Sequence, residues 1–372
     1  MTALAEAIRN GLSDRHRVFT INMEITGLCN AHCTYCHFYN VRDREEYAFH
    51  LPEDLFEAYC HFIKYWGQNA DGETNYRFSG GDPIVMKDLL FDRANRAYEI
   101  SDIRPFVLTH GKGLTQRWID KAKDSAIQNV YFSIENPICP DPGALAPQTT
   151  IDNLKRFNSD ELPLVLGVCV VPNEAFQHLL EICDWFYDRI GYIPPIAEVN
   201  YASYKNITED QWKELDTSID KILQKYHGVT HLNLFHSVSP ELGYYGADPY
   251  IFNLDLENKF DIDINNIEQR AFDVAENLKD INYPYVRCSS TDCTWNEFCV
   301  NTKWYWHDDG VTNPERKIQD YCRFKRIMND NFYRHAVDIN HKNTEAEPCF
   351  PQGGTFRYDE SLKDQIHLAN IS

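Results

Sequence analysis

Apolar and polar positions along the chain follow two periods that take turns. Short runs rich in β-branched and aromatic residues occur at Phe19–Thr26, Tyr76–Ser79, Phe106–Thr109, Val130–Ile134, Leu164–Val171 and Ile196–Tyr201, and each reads as a strand. Helical spacing takes over between them. In Leu51–Trp66 it puts Leu55, Tyr59, Phe62, Ile63 and Trp66 on one face, with Pro52 suited to the first turn and Gly67 to a C-terminal stop. Cys60 and His61 fall inside this helix and read as a core thiol and a satisfied histidine. Further helical runs cover Thr115–Ala126, Thr149–Phe157 and Asn173–Ile190. In the last, Asn173 suits an N-cap, and Leu179, Ile182, Cys183 and Phe186 form the apolar stripe. Strand–helix alternation at roughly 30 residues per unit predicts βαβ units and a parallel sheet. Six strands are too few for a closed eightfold barrel.

The flanks differ. Residues 2–11 read as one short helix, and only about 17 residues precede the first strand. Past Ile207 the alternation stops. Thr208-Glu209-Asp210-Gln211 reads as a capping box opening a helix to about Leu223, His231–Val238 as a strand, and Asp248–Asp263 as an acidic, irregular connection. The resulting division is an N-terminal helix over 1–16, the sheet domain over 17–207, connecting helices and strand over 208–280, a cysteine-rich domain over 281–350 and a polar tail over 351–372.

Composition narrows the function. The 372 residues are 13% aromatic, enough for a sizeable core, and no apolar run approaches the ~20 residues of a membrane helix. The start of the chain lacks the pattern of a signal peptide, which implies the cytoplasm, where 12 cysteines read as metal ligands and buried thiols rather than disulfides. A formal charge of −20 argues against a nucleic-acid partner.

The chemistry concentrates in Cys29-Asn30-Ala31-His32-Cys33-Thr34-Tyr35-Cys36, which follows the first strand and Gly27. Three thiolates in C-x3-C-x2-C spacing on one loop suit three irons of a [4Fe–4S] cluster, with the fourth iron open for a ligand. The alternative is part of a zinc site completed by His32 or His37. A second group, Cys288, Cys293, Cys299 and Cys322, lies among Trp295, Phe298, Trp304, Tyr305 and Trp306, with Cys349 beyond it. Four thiolates suffice for one further cubane; a structural zinc site and unligated core thiols are the alternatives.

The first cysteine loop resembles that of the radical S-adenosylmethionine (radical SAM) superfamily. The resemblance implies a partial (β/α)6 TIM-like barrel of α/β class, a cluster on Cys29, Cys33 and Cys36, and S-adenosylmethionine bound at the open iron. Tyr35 stands where the family commonly has an aromatic residue near the adenine. Phe78-Ser79-Gly80-Gly81-Asp82-Pro83 is similar to the family's Gly-Gly-Glu-Pro motif, with Asp82 in place of Glu, which makes Gly80, Gly81, Asp82 and Pro83 cofactor-site candidates. The alternative is an ordinary Gly-Asp-Pro turn. Leu108-Thr109-His110-Gly111 looks like the family's Thr-Asn-Gly with histidine substituted, and Phe132-Ser133-Ile134-Glu135 like its Ser-Ile-Asp. Thr109, Ser133 and Tyr201 join the cofactor set, and Glu135 and His110 are the catalytic candidates. Cys139 reads as an incidental thiol. The second cysteine group partly resembles the SPASM and twitch extensions that carry auxiliary clusters, although the first spacing is four rather than two and no cysteine occurs in Val300–Trp306.

The resemblance implies an enzyme that cleaves S-adenosylmethionine reductively, takes electrons from a flavodoxin- or ferredoxin-type donor, and modifies a ribosomal peptide in natural-product maturation. A dehydrogenase (an oxidoreductase), decarboxylase or epimerase of a small-molecule natural-product intermediate is the alternative. The short N-terminus, which leaves no room for a leader-binding domain, favours that alternative; the SPASM-like spacing favours the peptide. From another class, a non-catalytic zinc or iron–sulfur scaffold would leave the matches at several strand ends unexplained.

Overall fold

The computed structural model describes residues 3–6, 18–34, 36, 45–70, 73–171, 178–191, 193–194, 196–198, 208–226, 250–276, 285–287, 300–302, 323, 327, 330 and 331. The chain divides into two compact units. The first comprises Met1–Glu135, Pro140–Val168 and Ala247–Pro284; the second comprises Asn136–Cys139, Cys169–Gly246 and Tyr285–Ser372.

The first unit is built on β1 (Val18–Thr26), β2 (Glu73–Gly80), β3 (Phe106–Thr109), β4 (Val130–Glu135), the start of β5 (Leu164–Val171) and β7 (Tyr250–Leu254). Their order is β5-β4-β3-β2-β1-β7. β1 pairs in parallel with β2 and β7, β2 with β3, and β3 with β4. Helices α1 (Glu53–Asn69), α2 (Asp88–Ser101), α3 (Gln116–Lys123) and α4 (Pro147–Phe157) make the crossovers. Ile21, Met23 and Ile25 alternate along β1 with no exposed surface, the period-2 signature of a strand with one face against helices. Phe56 of α1 packs on Phe78 of β2 at 6.1 Å, and Phe91 of α2 on Trp118 of α3 at 5.5 Å. On α1, Tyr59, Phe62, Ile63 and Trp66 are buried as the spacing predicts, Leu55 of the same predicted face is half-buried, and Cys60 is a core thiol. This is the parallel α/β sheet that the alternation predicts and the partial barrel that the resemblance implies.

Two expectations are corrected. Gly67 does not stop α1, which runs on to Asn69; Gly67 lies where a Cβ would stand 3.1 Å from the Ile103 side chain. The acidic stretch Asp248–Asp263 is not irregular throughout. Tyr250–Leu254 is β7, with Asn253 opposite Asn22 and the Asn22 Nδ2 donating to Asn253 Oδ1 at 2.9 Å. A five-residue strand among acidic neighbours shows no readable period, and its pairing with β1 supplies the order. Past it, the Tyr59 hydroxyl donates to the Asp255 carbonyl at 2.7 Å, and α7 (Ile267–Glu276) follows.

In the second unit the last residues of β5, Cys169–Val171, pair in parallel with β6 (Ile196–Glu198). α5 (Leu179–Ile190) packs on α6 (Glu209–Lys225), with Tyr187 and Tyr226 rings 5.0 Å apart. The predicted capping box opens α6: Gln211 N donates to Thr208 Oγ1 at 3.3 Å and Thr208 N to Gln211 Oε1 at 2.8 Å. β8 (Tyr285–Arg287) and β9 (Val300–Thr302) pair antiparallel, with Arg287 opposite Val300.

Of the predicted N-terminal helix, residues 3–6 are helical, with Leu4 and Ala5 buried. Asn173 and the predicted strand His231–Val238 lie outside the described residues. No helix among the described residues is long and apolar enough to cross a membrane.

Candidate functional site

The cysteine loop leaves the C-terminal end of β1, the edge at which parallel α/β folds place their chemistry. It is held there from three directions, all within the first unit.

β2 holds the start of the loop by main chain alone. Gly81 N donates to Thr26 O and Asp82 N to Leu28 O, each at 2.7 Å. The contact is too close for a side chain: a Cβ on Gly80 would stand 2.1 Å from Thr26 O, and one on Gly81 2.1 Å from Leu28 O. Gly80 also has φ +112°, a conformation that L side chains rarely adopt. The paired glycines therefore bring β2 against the backbone of the cysteine loop. Below this contact the buried Arg93 guanidinium donates to the carbonyls of Ile25 and Leu51, and Thr26 Oγ1 lies 2.9 Å from His50 Nδ1.

β3 holds the loop by polar side chains. Asp82 has no exposed surface. Its carboxylate caps the short 3-10 turn Pro83–Met86 by accepting from Ile84 N at 3.0 Å, and it accepts from the Thr109 hydroxyl at 2.8 and 2.9 Å. Asp82 Oδ2 also lies 2.8 Å from His110 Nε2, and the same nitrogen lies 3.6 Å from Cys29 Sγ. Lys112 N donates to His110 Nδ1 at 3.1 Å, which assigns the ring proton to Nε2. Burial lowers the His110 pKa, but the bonds to Asp82 and Cys29 and their charges outweigh it and raise the value to about 9. Nε2 carries a hydrogen in either protonation state, because in the neutral ring Nδ1 is the acceptor for the Lys112 N–H. Two further bonds, Asn30 Nδ2 to Lys112 O and Lys112 Nζ to Asn30 O, both 2.8 Å, close the β3 side.

The third hold comes from the loop after β4. Thr34 N donates to Asp141 Oδ2 at 2.9 Å, and the Thr34 hydroxyl donates to the same oxygen. Gly143 N donates to Asp141 Oδ1 at 2.7 Å, while His32 N donates to Gly143 O at 2.9 Å. Burial pushes the Asp141 carboxyl up, and the donors from Thr34 and Gly143 more than offset it, leaving the pKa below the usual carboxylate value.

Residues 23–186 match the model of the Radical SAM superfamily. The chain carries a radical SAM domain. Among solved structures, anSMEcpe with bound AdoMet and Cp18Cys peptide matches with a TM-score of 0.58 and 12% identity, over 87% of this chain and 99% of its own. anSMEcpe with bound AdoMet gives 0.60 and 13%, over 87% and 100%. Streptococcus suis SuiB bound to precursor peptide SuiA gives 0.40 and 15%, over 58% and 48%. At these identities the likeness is one of fold. No curated protein matches the chain.

The radical SAM domain implies a [4Fe–4S] cluster and S-adenosylmethionine. The donor set fits: Cys29, Cys33 and Cys36 are half-buried cysteines on one loop and none is in a disulfide, and Ala31 N donates to Cys29 Sγ at 3.3 Å. Among the described residues no three His, Cys, Asp or Glu groups are gathered on one point for a metal. Of the remaining candidates, Thr109 is buried against Asp82, Pro83 is buried as the first residue of its turn, Ser133 is half-buried near the end of β4, and Glu135 is buried at that end. Tyr35, Tyr201, Cys288, Cys293, Cys299, Cys322 and Cys349 lie outside the described residues.

Sequence reasoning missed Asp141, Arg93, His50 and the Asn30–Lys112 pair. Asp141 carried one local signal, its place between two prolines and before Gly143, which marks a turn. The other three have no sequence signature.

Proposed function

We propose that Cys29, Cys33 and Cys36 hold a [4Fe–4S] cluster with one iron open to S-adenosylmethionine, and that the enzyme modifies a ribosomal peptide. The observation that carries this reading is the loop itself: three cysteines outside any disulfide at the C-terminal end of β1, anchored from the ends of β2 and β3 and from the loop after β4. When bound, the cluster supplies one electron that breaks the sulfur–C5′ bond of S-adenosylmethionine, releasing methionine and a 5′-deoxyadenosyl radical that takes a hydrogen atom from the substrate. The electron comes from a flavodoxin- or ferredoxin-type donor.

The chain supplies position. The main chain of Gly80, Gly81 and Asp82 runs against the cysteine loop and would bind the methionine end of the cofactor. The Asp82 carboxylate faces inward to Thr109 and His110, so it orients rather than binds. The resemblance makes Tyr35, Ser133 and Tyr201 candidates for contacts to the nucleoside, and Glu135 the candidate to face the substrate. A peptide substrate is supported by the shared architecture with anSMEcpe, solved with AdoMet and a Cp18Cys peptide.

Cys288, Cys293, Cys299 and Cys322 hold one auxiliary [4Fe–4S] cluster in this reading. The pairing of Arg287 with Val300 supports it, because it brings together the two ends of the segment 288–299, in which three of the four cysteines lie. The test is iron per chain after anaerobic reconstitution. Wild type should hold two cubanes, and a variant lacking Cys29, Cys33 and Cys36 about four irons. Zinc, or no metal, in that variant would refute the auxiliary cluster.

A further inference from the structure

We propose that His110 is a positioning residue that sets the reduction potential of the cluster on the cysteine loop by placing its Nε2–H between the Asp82 carboxylate and the Cys29 sulfur. The inference rests on the reading of Cys29 as a cluster ligand.

Three observations fix the imidazole. Nδ1 accepts from the Lys112 N–H at 3.1 Å in the neutral ring, so Nε2 carries a proton whether the ring is neutral or charged. Nε2 lies 2.8 Å from Asp82 Oδ2 and 3.6 Å from Cys29 Sγ. Asp82 cannot swing away, because it has no exposed surface and accepts from Ile84 N and the Thr109 hydroxyl as well. Groups hydrogen-bonded to a metal's ligands orient those ligands and tune the metal.

The direction follows from electrostatics. Reduction adds negative charge to the cluster and its sulfurs, and an N–H donor at a ligating sulfur favours that state, so it raises the potential. The ring also separates two anionic groups. Without it, the buried Asp82 carboxylate would face the Cys29 thiolate directly in a poorly screened setting and would oppose reduction. Both effects of removing the ring lower the potential.

Two substitutions separate this role from packing. His110→Asn keeps an acceptor in reach of the Lys112 N–H but removes the donor at the Nε2 position. His110→Gln extends an amide donor to that position. The measurement is a redox titration of the reconstituted enzyme, read by the electron paramagnetic resonance signal that changes when S-adenosylmethionine is added, with iron per chain counted alongside. Expected is full iron in all three proteins, a lower midpoint potential in His110→Asn, and a value returned toward wild type in His110→Gln. Equal potentials in wild type and His110→Asn overturn the proposal, as does a His110→Gln value no higher than that of His110→Asn. Loss of iron in His110→Asn alone also overturns it, since that outcome assigns the ring to cluster retention. A wild-type protein with no signal responsive to S-adenosylmethionine instead removes the cluster reading itself.

Discussion

Cys60 and Cys183 sit on α1 and α5 with no exposed surface, whereas Cys29, Cys33 and Cys36 sit on a loop and stay half-exposed. Burial pushes the first two thiols well above their ordinary pKa, so they remain protonated and behave as small apolar side chains. The loop cysteines have polar surroundings, with Ala31 N–H and His110 at Cys29. One residue type thus serves two purposes, and what separates them is the period of the surrounding sequence. A cysteine on the apolar stripe of a helix joins the core; cysteines grouped where the strand period breaks off face chemistry.

The sharpest break in this contrast is the triple variant Cys29→Ala, Cys33→Ala, Cys36→Ala. It should form no 5′-deoxyadenosine under dithionite and should lose about four irons per chain; continued cleavage of S-adenosylmethionine would collapse the distinction. Next in size is Gly81→Val. A Cβ there meets Leu28 O, one residue before Cys29, so most loop iron should be lost rather than cofactor affinity alone. Full iron with weakened cofactor binding would return Gly81 to the role of a pure ligand contact.

A smaller effect is expected from Asp141→Ala, which removes the acceptor for Thr34 and Gly143. Loop iron should be lost to a chelator about tenfold more readily, the lower end of what outer-shell changes do to metal sites. Because the folded Asp141 pKa lies below its ordinary value, its contribution is fully present above the ordinary carboxylate pKa and is lost as the pH falls through the depressed one. An Asp141→Ala protein whose iron retention matches wild type would show the third anchor to be idle. The smallest effect belongs to Cys60→Ala and Cys183→Ala. Each should lower stability by about 1 kcal/mol in denaturant titration and leave iron unchanged; a loss of iron in either would blur the two classes.

What was legible divides along the same line. Phe106–Thr109 and Leu164–Val171 were readable end to end because their apolar runs are bounded by turn signals, and the Thr208–Gln211 box because capping is local. The cysteine loop was readable because its ligands are close in sequence. Its anchors were not. Asp141 is 107 residues from Thr34 and His110 is 81 from Cys29, and no local period records such pairs. β7 was missed for the same reason, since its order comes from β1.

The reach of those anchors bears on the timing of maturation. A loop fastened by partners 81 and 107 residues downstream cannot take its final shape until β3 and the chain past β4 have docked, and contacts so distant along the chain form late. Metal loading should therefore follow sheet assembly. A nascent chain that has emerged only through β2 would present its three thiols unfastened, open to oxidation and to the wrong metal.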